Sequence, residues 1–216
     1  MAEVVSEAVR ERVLRDPCLI ECLRRGIVNL SELARQVVAE VEASTGRRLS
    51  FAAAKMALYR LSKSIREGGV ERVRSILRRS ALVVHDSVTV ATFPGESLPR
   101  VLRVAGELAG RVRFIQVTQG FKTATVVVSS EDAEAIISNV GEPLEVIGGQ
   151  TAIVIVSPHD IIETPGVIAY VTGYLASNGV NVTQIISCYL DTILVVDSRE
   201  STKAYNLLRR IVGPPT

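Results

Sequence analysis

The residues best suited to chemistry surround a Pro-Gly pair in the second half of the chain. Thr164-Pro165-Gly166 follows a polar loop and opens a helical pattern, and Asn181 begins the next strand-like run. A helix start exposes unpaired N–H groups and a partial positive charge, which suits a carboxylate. Asn181 can donate and accept hydrogen bonds, and Asp160 or Glu163 could hold an ammonium group. An ordinary, well-capped strand-to-helix turn would contain the same residues.

The elements that must position these residues span 151–211. Residues 151–156 have the length and β-branched content of a buried strand. The remaining pattern predicts a helix, two strands and a helix, at 165–179, 181–189, 192–196 and 200–211. A ferredoxin-like unit needs a fourth strand, which is either borrowed from elsewhere or missing here.

This arrangement resembles an ACT domain, the small-molecule sensing module that aspartokinases carry as a regulatory tail. The resemblance is carried by the apolar strand, Thr164-Pro165-Gly166, a helix ending at Gly179, and Val180-Asn181-Val182. ACT units fold as βαββαβ, pair side by side through their sheets and bind amino acids at the paired edge. The resemblance therefore implies a free amino acid as ligand, contacted by Asp160, Ile161, Glu163, Thr164, Pro165, Gly166, Val167, Ile168, Asn181, Val182 and Thr183.

Residues 81–149 look like a second copy of this unit, because a shift of sixty-nine positions places Gly110 on Gly179 and Thr123 on Thr192. Strands and helices are predicted in this copy at 87–93, 98–108, 111–118, 124–128, 131–139 and 144–147. Gly148-Gly149 is interpreted as a turn between the copies. The prediction is an α+β protein with two ferredoxin-like ACT units paired side by side, residues 81–149 and 150–216.

The two copies differ where a ligand would bind. Val112 takes the position of Asn181 in the first copy, and the loop before Pro94-Gly95 is two residues out of register. The ligand site is therefore placed in the second copy, with the first copy as its packing partner.

Residues 1–80 are predicted to form an all-helical domain that includes a connecting helix. Helices are expected at 4–15 and 17–25, from a cap at Asn29 or Ser31 to Gly46, and from a cap at Ser50 onward. A break at Glu67-Gly68-Gly69 precedes a basic connecting stretch, 70–79. The core stripe of the fourth helix is predicted to contain Phe51, Ala54, Leu58, Leu61 and Ile65.

The fourth helix is the candidate reader of DNA. Residues 47–79 contain ten basic residues and two acidic ones, which favours an anionic partner. With the preceding helix, it resembles the helix-turn-helix part of a regulator, and the run 57–61 is similar to archaeal proteins that join such a domain to ACT units. The connection 45–49 is longer than the familiar turn of about 3–4 residues. The candidate contacts are Arg47, Arg48, Ser50, Ala53, Met56, Tyr59, Arg60 and Lys63. A solvated helix or a dimer contact would show the same pattern.

Composition narrows the class of protein. The 216 residues are 47% hydrophobic and 22% charged, as in globular proteins with room for one to three small domains. No apolar run approaches the ~18 residues of a membrane span. The acidic N-terminal segment is unlike a signal peptide, so a cytoplasmic protein without membrane contact is expected. Cys18, Cys22 and Cys188 are expected to be small buried residues rather than metal ligands.

The sequence contains no phosphate-binding loop, zinc-protease motif or nucleophile elbow, so we predict a protein that is not an enzyme and needs no cofactor. The leading hypothesis is a cytoplasmic, homodimeric or larger transcriptional regulator that responds to an amino acid and binds double-stranded DNA. The alternative is an amino-acid-sensing subunit that docks onto an enzyme and does not bind DNA. Dependence of binding on salt would separate the two hypotheses.

Overall fold

The computed structural model describes residues 2–46, 48–65 and 70–213. The chain forms two compact units, Met1–Gly68 and Gly69–Thr216, called here the helical unit and the sheet unit. Arg47 and the predicted break at Glu67-Gly68-Gly69 lie outside the described residues.

Within the described residues, the helical unit contains the helices α1 (Ala2–Leu14), α2 (Pro17–Arg25), α3 (Leu30–Thr45) and α4 (Phe51–Ile65). Their ends follow local chemistry. The Asp16 carboxylate accepts the Leu19 N–H at the start of α2, and the Asn29 side chain caps α3 in the same way. Gly26 and Gly46 end α2 and α3 in the left-handed conformation that glycine adopts without strain.

The core of the helical unit is built from apolar side chains of all four helices, among them Val9, Leu23, Val37 and Leu58. Two predictions about this unit are wrong. Phe51 is 42% exposed and lies against the Arg35 guanidinium, because the buried face of α4 is centred on Ala54, Ala57 and Leu58. Cys18 is exposed and Cys22 half-buried, since α2 buries Leu23 instead; Cys188, in the sheet unit, is also exposed.

The sheet unit begins with helix α5 (Val70–Arg78) and contains one six-stranded antiparallel sheet, curled and ordered β2-β3-β1-β4-β6-β5. The strands are β1 (Ala81–Pro94), β2 (Ile115–Gln119), β3 (Thr123–Ser129), β4 (Glu145–Val156), β5 (Gln184–Cys188) and β6 (Asp191–Asp197). The further helices are α6 (Leu98–Leu108), α7 (Ala133–Val140), α8 (Val167–Ser177) and α9 (Ser198–Arg209).

Alternating side chains give the sheet a core on each face. On the helix side, Ile153, Leu194 and Val196 pack with α8 and α9, and Phe93 and Val126 pack with α6 and α7. Helix α5 contributes Val73 and Leu77 to the core that contains α8 and α9. The sequence analysis grouped this helix with the helical domain. No helix among the described residues is long and apolar enough to span a membrane.

The long strands β1 and β4 form the centre of the sheet. The first residues of β1 supply the fourth strand that the sequence pattern of 151–211 does not contain. The first residues of β1, 81–85, pair with 152–156 of β4, whereas 90–92 pair with 145–147. Gly148-Gly149 therefore lies inside β4, at a register shift, and the predicted turn between the copies is wrong. Both ends of β4 are held by β1, so the chain continues as one strand with Gly149 at φ 63°.

The element order strand, helix, strand, strand, helix occurs twice in the sheet unit. A shift of sixty-nine residues superposes the limits of α6 on those of α8, and the limits of β2 on those of β5. The connections before the helices differ more than the sequence suggested. Three residues, 95–97, join β1 to α6, whereas ten, 157–166, join β4 to α8. This longer connection surrounds the candidate site.

Candidate functional site

A surface pocket of about 700 Å³ lies where the connection 157–166 enters helix α8. The connection contributes Ile161, Ile162, Thr164 and Gly166 to its wall. The first turn of α8 contributes Val167, Ile168 and Ala169. The end of β5 and the residue after it contribute Ser187 and Tyr189.

The start of α8 is left open by its local conformation. Gly166 has φ 93°, a region in which a residue with a Cβ is strained, and no side chain caps the helix. The buried Thr164 hydroxyl donates instead to the Asp160 carbonyl, at 2.8 Å, and so closes the connection on itself. The helix begins with the hydrogen bond from the Tyr170 N–H to the Gly166 carbonyl, at 2.9 Å. The amides of the first turn therefore face the pocket with the positive end of the helix dipole.

The two predicted ammonium partners do not line this pocket. The Asp160 carboxylate accepts a hydrogen bond from the Arg79 guanidinium at 2.7 Å. This hydrogen bond, then the charge of Arg79 and that of Arg72, lowers the pKa of Asp160 below its ordinary value. Glu163 is exposed to solvent. The Asp160 charge is thus already paired with the segment that follows α5.

The lowered pKa of Asp160 predicts a pH-dependent contribution to stability. A carboxylate with a lowered pKa in the folded state stabilises the fold above its unfolded pKa, and this contribution is lost as the pH falls through the lowered value. Asp160→Asn should therefore lower the Tm of the sheet unit at neutral pH, and the difference should shrink on acidification. Thermal unfolding from neutral to strongly acidic pH measures this. Glu142→Gln, which removes an exposed carboxylate elsewhere in the unit, is the control. A difference for Asp160→Asn that does not change with pH would contradict the prediction.

Helix α5 packs against the entrance of α8. A Cβ on Gly166 would lie 4.0 Å from the Val73 side chain, which belongs to the same core as Val167. Hydrogen bonding to Tyr170 on α8, followed by Glu71, raises the pKa of the Arg74 guanidinium. The site is thus in direct contact with the helix that opens the sheet unit.

The second predicted group of ligand contacts lies elsewhere. Asn181 is exposed, Val182 packs on the core, and the Thr183 hydroxyl hydrogen-bonds to the Gln150 side chain and the Val195 carbonyl. These residues precede β5, whereas the pocket is bordered by its other end, roughly 20 Å away at about 3.3 Å per residue. The structure therefore brings Ile161, Thr164, Gly166, Val167 and Ile168 together. It does not bring Asn181, Val182 or Thr183 to them, and Pro165 is exposed beside the pocket.

Two residues at the end of β5, Ser187 and Tyr189, line the pocket although the sequence analysis did not select them. Tyr189 is 72% exposed, has φ 54° and lies edge-on to the His159 ring at 5.9 Å. Ser187 lies opposite Thr192 in the β5–β6 ladder, and the Thr192 hydroxyl is buried without a hydrogen-bond partner in the described structure. The direction of β5 would have identified this end of the strand, because a strand that follows a helix antiparallel to it brings its last residues to the helix start.

Most residues of the candidate DNA-binding face of α4 are exposed to solvent. Arg48, Ser50, Met56, Tyr59, Arg60 and Lys63 are exposed, whereas Ala53 is half-buried against the core. The Lys63 ammonium lies over the Tyr59 ring at 4.8 Å, and the Ser50 hydroxyl accepts the Ala53 N–H at 3.4 Å. Within the described residues, Arg48, Arg60 and Lys63 form no ion pair.

Part of the sheet unit matches a known family model. Residues 145–210 match the family model described as an ACT domain, and this segment includes every residue that lines the pocket. Comparison with curated protein sequences finds no match.

Solved structures of aspartokinases are similar to this chain. The aspartate kinase of Clostridium acetobutylicum gives a TM-score of 0.52 at 16% identity, over 62% of this chain and 34% of the kinase. A structure of aspartokinase alpha and beta subunits gives 0.50 at 12% identity, over 60% and 91%. The regulatory subunit of aspartate kinase from Thermus thermophilus gives 0.49 at 14% identity, over 60% and 95%. The chain thus spans about a third of the Clostridium enzyme, and the likeness to the first two structures shows an ACT-like fold.

Proposed function

We propose that this chain is an amino-acid-binding regulatory protein and that the pocket at the start of α8 is its effector site. The observation that carries the proposal is the coincidence of the ACT match with the pocket, which lies entirely within residues 145–210. Amino-acid binding is the function that the family resemblance implies for this position.

The pocket offers a partner for each end of an amino acid. The uncapped amides of Val167, Ile168 and Ala169 suit the carboxylate. The hydroxyl oxygen of Ser187 can accept a hydrogen bond from the ammonium. Asp160 contributes by fixing the connection to Arg79. The proposed site leaves out Asn181, Val182 and Thr183, since they lie at the other end of β5.

The sheet unit is proposed to consist of two ACT units, residues 81–149 and 150–216. Each unit has the order strand, helix, strand, strand, helix, and each completes its sheet with one end of the other unit's long strand. The ten-residue connection before α8 supports a single effector site in the second unit.

The chain is also proposed to form a dimer or larger assembly through sheet edges. The edge strands β2 and β5 contain neither a charged residue nor a proline, the usual protections of an unpaired edge. The domain order proposed is the helical unit, then the connecting helix α5, which packs in the core of the sheet unit, and then the two ACT units.

The proposed output is regulation of transcription through the helical unit, with DNA as its partner. Arg48, Arg60 and Lys63 support this proposal because they are exposed and without ion pairs in the described structure. Effector binding would act through α5, which packs on the site and directly precedes β1. The effector must bind one arrangement of the protein more tightly than the other, because equal affinities shift no equilibrium.

A second candidate function is docking onto an enzyme without DNA binding. Phe51, Met56 and Tyr59 favour it, because three large side chains of α4 are each more than 40% exposed. A protein partner that buries them would bind with little dependence on salt.

A thermal-shift screen against the twenty amino acids tests the effector site. At one hundred times its dissociation constant, an effector should stabilise the protein by about 2.7 kcal/mol. Ile168→Glu should abolish the shift, since a carboxylate in the first turn of α8 repels the ligand carboxylate while favouring the helix. Ile185→Glu, at an exposed position on β5 outside the pocket, is the matched control and should retain the shift. A screen in which no amino acid shifts the Tm would overturn the proposed function.

A further inference from the structure

The side chains that line the effector pocket are almost entirely apolar. Ile161, Ile162, Val167 and Ile168 supply apolar side chains, Tyr189 adds its ring, and Thr164, Ser187 and the Tyr189 phenol supply the hydroxyl groups among the lining residues. Ile162 is 51% exposed, Ile168 36% and Tyr189 72% in the ligand-free protein. A ligand that covers these three side chains removes apolar surface from water, which is favourable in proportion to the area buried.

No ionised side chain lines the pocket among the described residues, and the neighbouring charges are directed elsewhere. Asp160 is paired with Arg79, and Arg74 with Glu71. Glu163 is exposed and does not border the pocket. A ligand side chain with a charge would lose water at the isoleucine wall without gaining a partner, which is costly.

One hydroxyl of the pocket lies on the face of the sheet that meets the start of α8. Ser187 is exposed and lines the pocket at the end of β5. It lies opposite Thr192, which in turn lies opposite Ile155, a residue of the helix-side core. The Ser187 hydroxyl and the open amides of α8 therefore suit the ligand's main-chain groups.

We infer that the effector is an amino acid with an uncharged, apolar side chain, aliphatic or aromatic. This inference rests on the proposed function and assigns the ligand class from the lining of the same pocket. The main-chain carboxylate and ammonium lie between the α8 amides and the Ser187 hydroxyl. The side chain then points outward, against Ile162, Ile168 and Tyr189.

Isothermal titration of the full chain with amino acids of matched shape tests the ligand class. Valine should bind about tenfold more tightly than threonine, its isostere with a hydroxyl group. Leucine should bind at concentrations at which aspartate and lysine do not, because both would bring an unpaired charge to the wall. Tightest binding of lysine, aspartate or threonine would overturn the inference and leave the proposed function standing. Absence of binding by every amino acid would overturn the proposed function itself.

Two variants test which part of the pocket contacts the side chain of the ligand and which part contacts its main-chain groups. Tyr189→Gly should weaken leucine or phenylalanine about tenfold or more and leave alanine nearly unchanged, since glycine accepts the positive φ while the ring is lost. Phe121→Gly, which removes an exposed ring from the hairpin between β2 and β3, is the control. Ser187→Ala should weaken all amino acids alike, because the hydroxyl that accepts a hydrogen bond from the ligand ammonium is lost. Equal losses for leucine and alanine in Tyr189→Gly would contradict the assignment of the side chain.

Discussion

Leu175→Ala should lower the free energy of unfolding of the sheet unit by about 2–5 kcal/mol and leave the helical unit unchanged. Leu175 lies on α8, is fully buried and packs in the core that includes Ile153 and Leu194. Its removal leaves a cavity beneath α8, the helix at whose start the effector site is proposed. Because the two units have separate cores, the loss should appear only in the transition of residues 69–216.

Leu58→Ala provides the reciprocal variant. Leu58 is fully buried in the core of the helical unit, so this substitution should destabilise residues 1–68 by a similar amount. Four of the five tyrosines lie in the sheet unit and the chain has no tryptophan, so tyrosine fluorescence reports mainly on that unit. Circular dichroism follows the helices of both. If both variants shifted the same transition equally, the two units would unfold as one and their separation would be wrong.

The helix ends could be predicted from sequence because they depend on neighbours in the chain. Asp16 and Asn29 accept amide hydrogens within three residues of themselves, and Gly26 and Gly46 adopt a conformation that needs no distant partner. The pattern predicted α2 at the limits that the structure has. These interactions join residues that are close in sequence, so the sequence pattern alone predicts them.

The long strands could not be predicted in the same way. Residues 81–85 were not assigned to a strand, because their partner, 152–156, lies about seventy residues later. The same pairing explains why Gly148-Gly149 is not a turn, although two consecutive glycines favour one. Strand pairing between distant segments depends on the whole fold, and neither strand alone contains the information.

The sequence predicts only part of the candidate site, because the rest of the site depends on how distant strands pair. The loop and the start of α8 are consecutive in sequence, so Thr164, Gly166 and Ile168 were found from their spacing alone. Ser187 and Tyr189 join them only after β5 turns back along α8 and pairs with β6. Asn181 was selected because it can hydrogen-bond, but its distance along β5 separates it from the helix start.

Replacing Arg48, Arg60 and Lys63 together by alanine should weaken DNA binding by on the order of 10² near 0.1 M salt, if the helical unit binds DNA. Each phosphate contact contributes about 0.9 to the slope of log affinity against log salt, so the triple variant should reduce that slope by about 3. A salt titration by fluorescence anisotropy on a duplex measures both quantities. The control is the triple variant Arg103→Ala, Lys122→Ala and Lys203→Ala, which removes three exposed positive charges from the sheet unit.

The same titration separates the two proposed outputs of the helical unit. Docking onto an enzyme would be insensitive to the triple variant and would be lost when Phe51 and Met56 are replaced by alanine, because these two side chains present exposed apolar surface. Under the DNA proposal, the effector and DNA must also be coupled reciprocally. An effector that changes DNA affinity by a given factor must have its own affinity changed by the same factor when DNA is bound. An effector dissociation constant that is identical with and without saturating DNA would therefore exclude regulation of DNA affinity through the pocket.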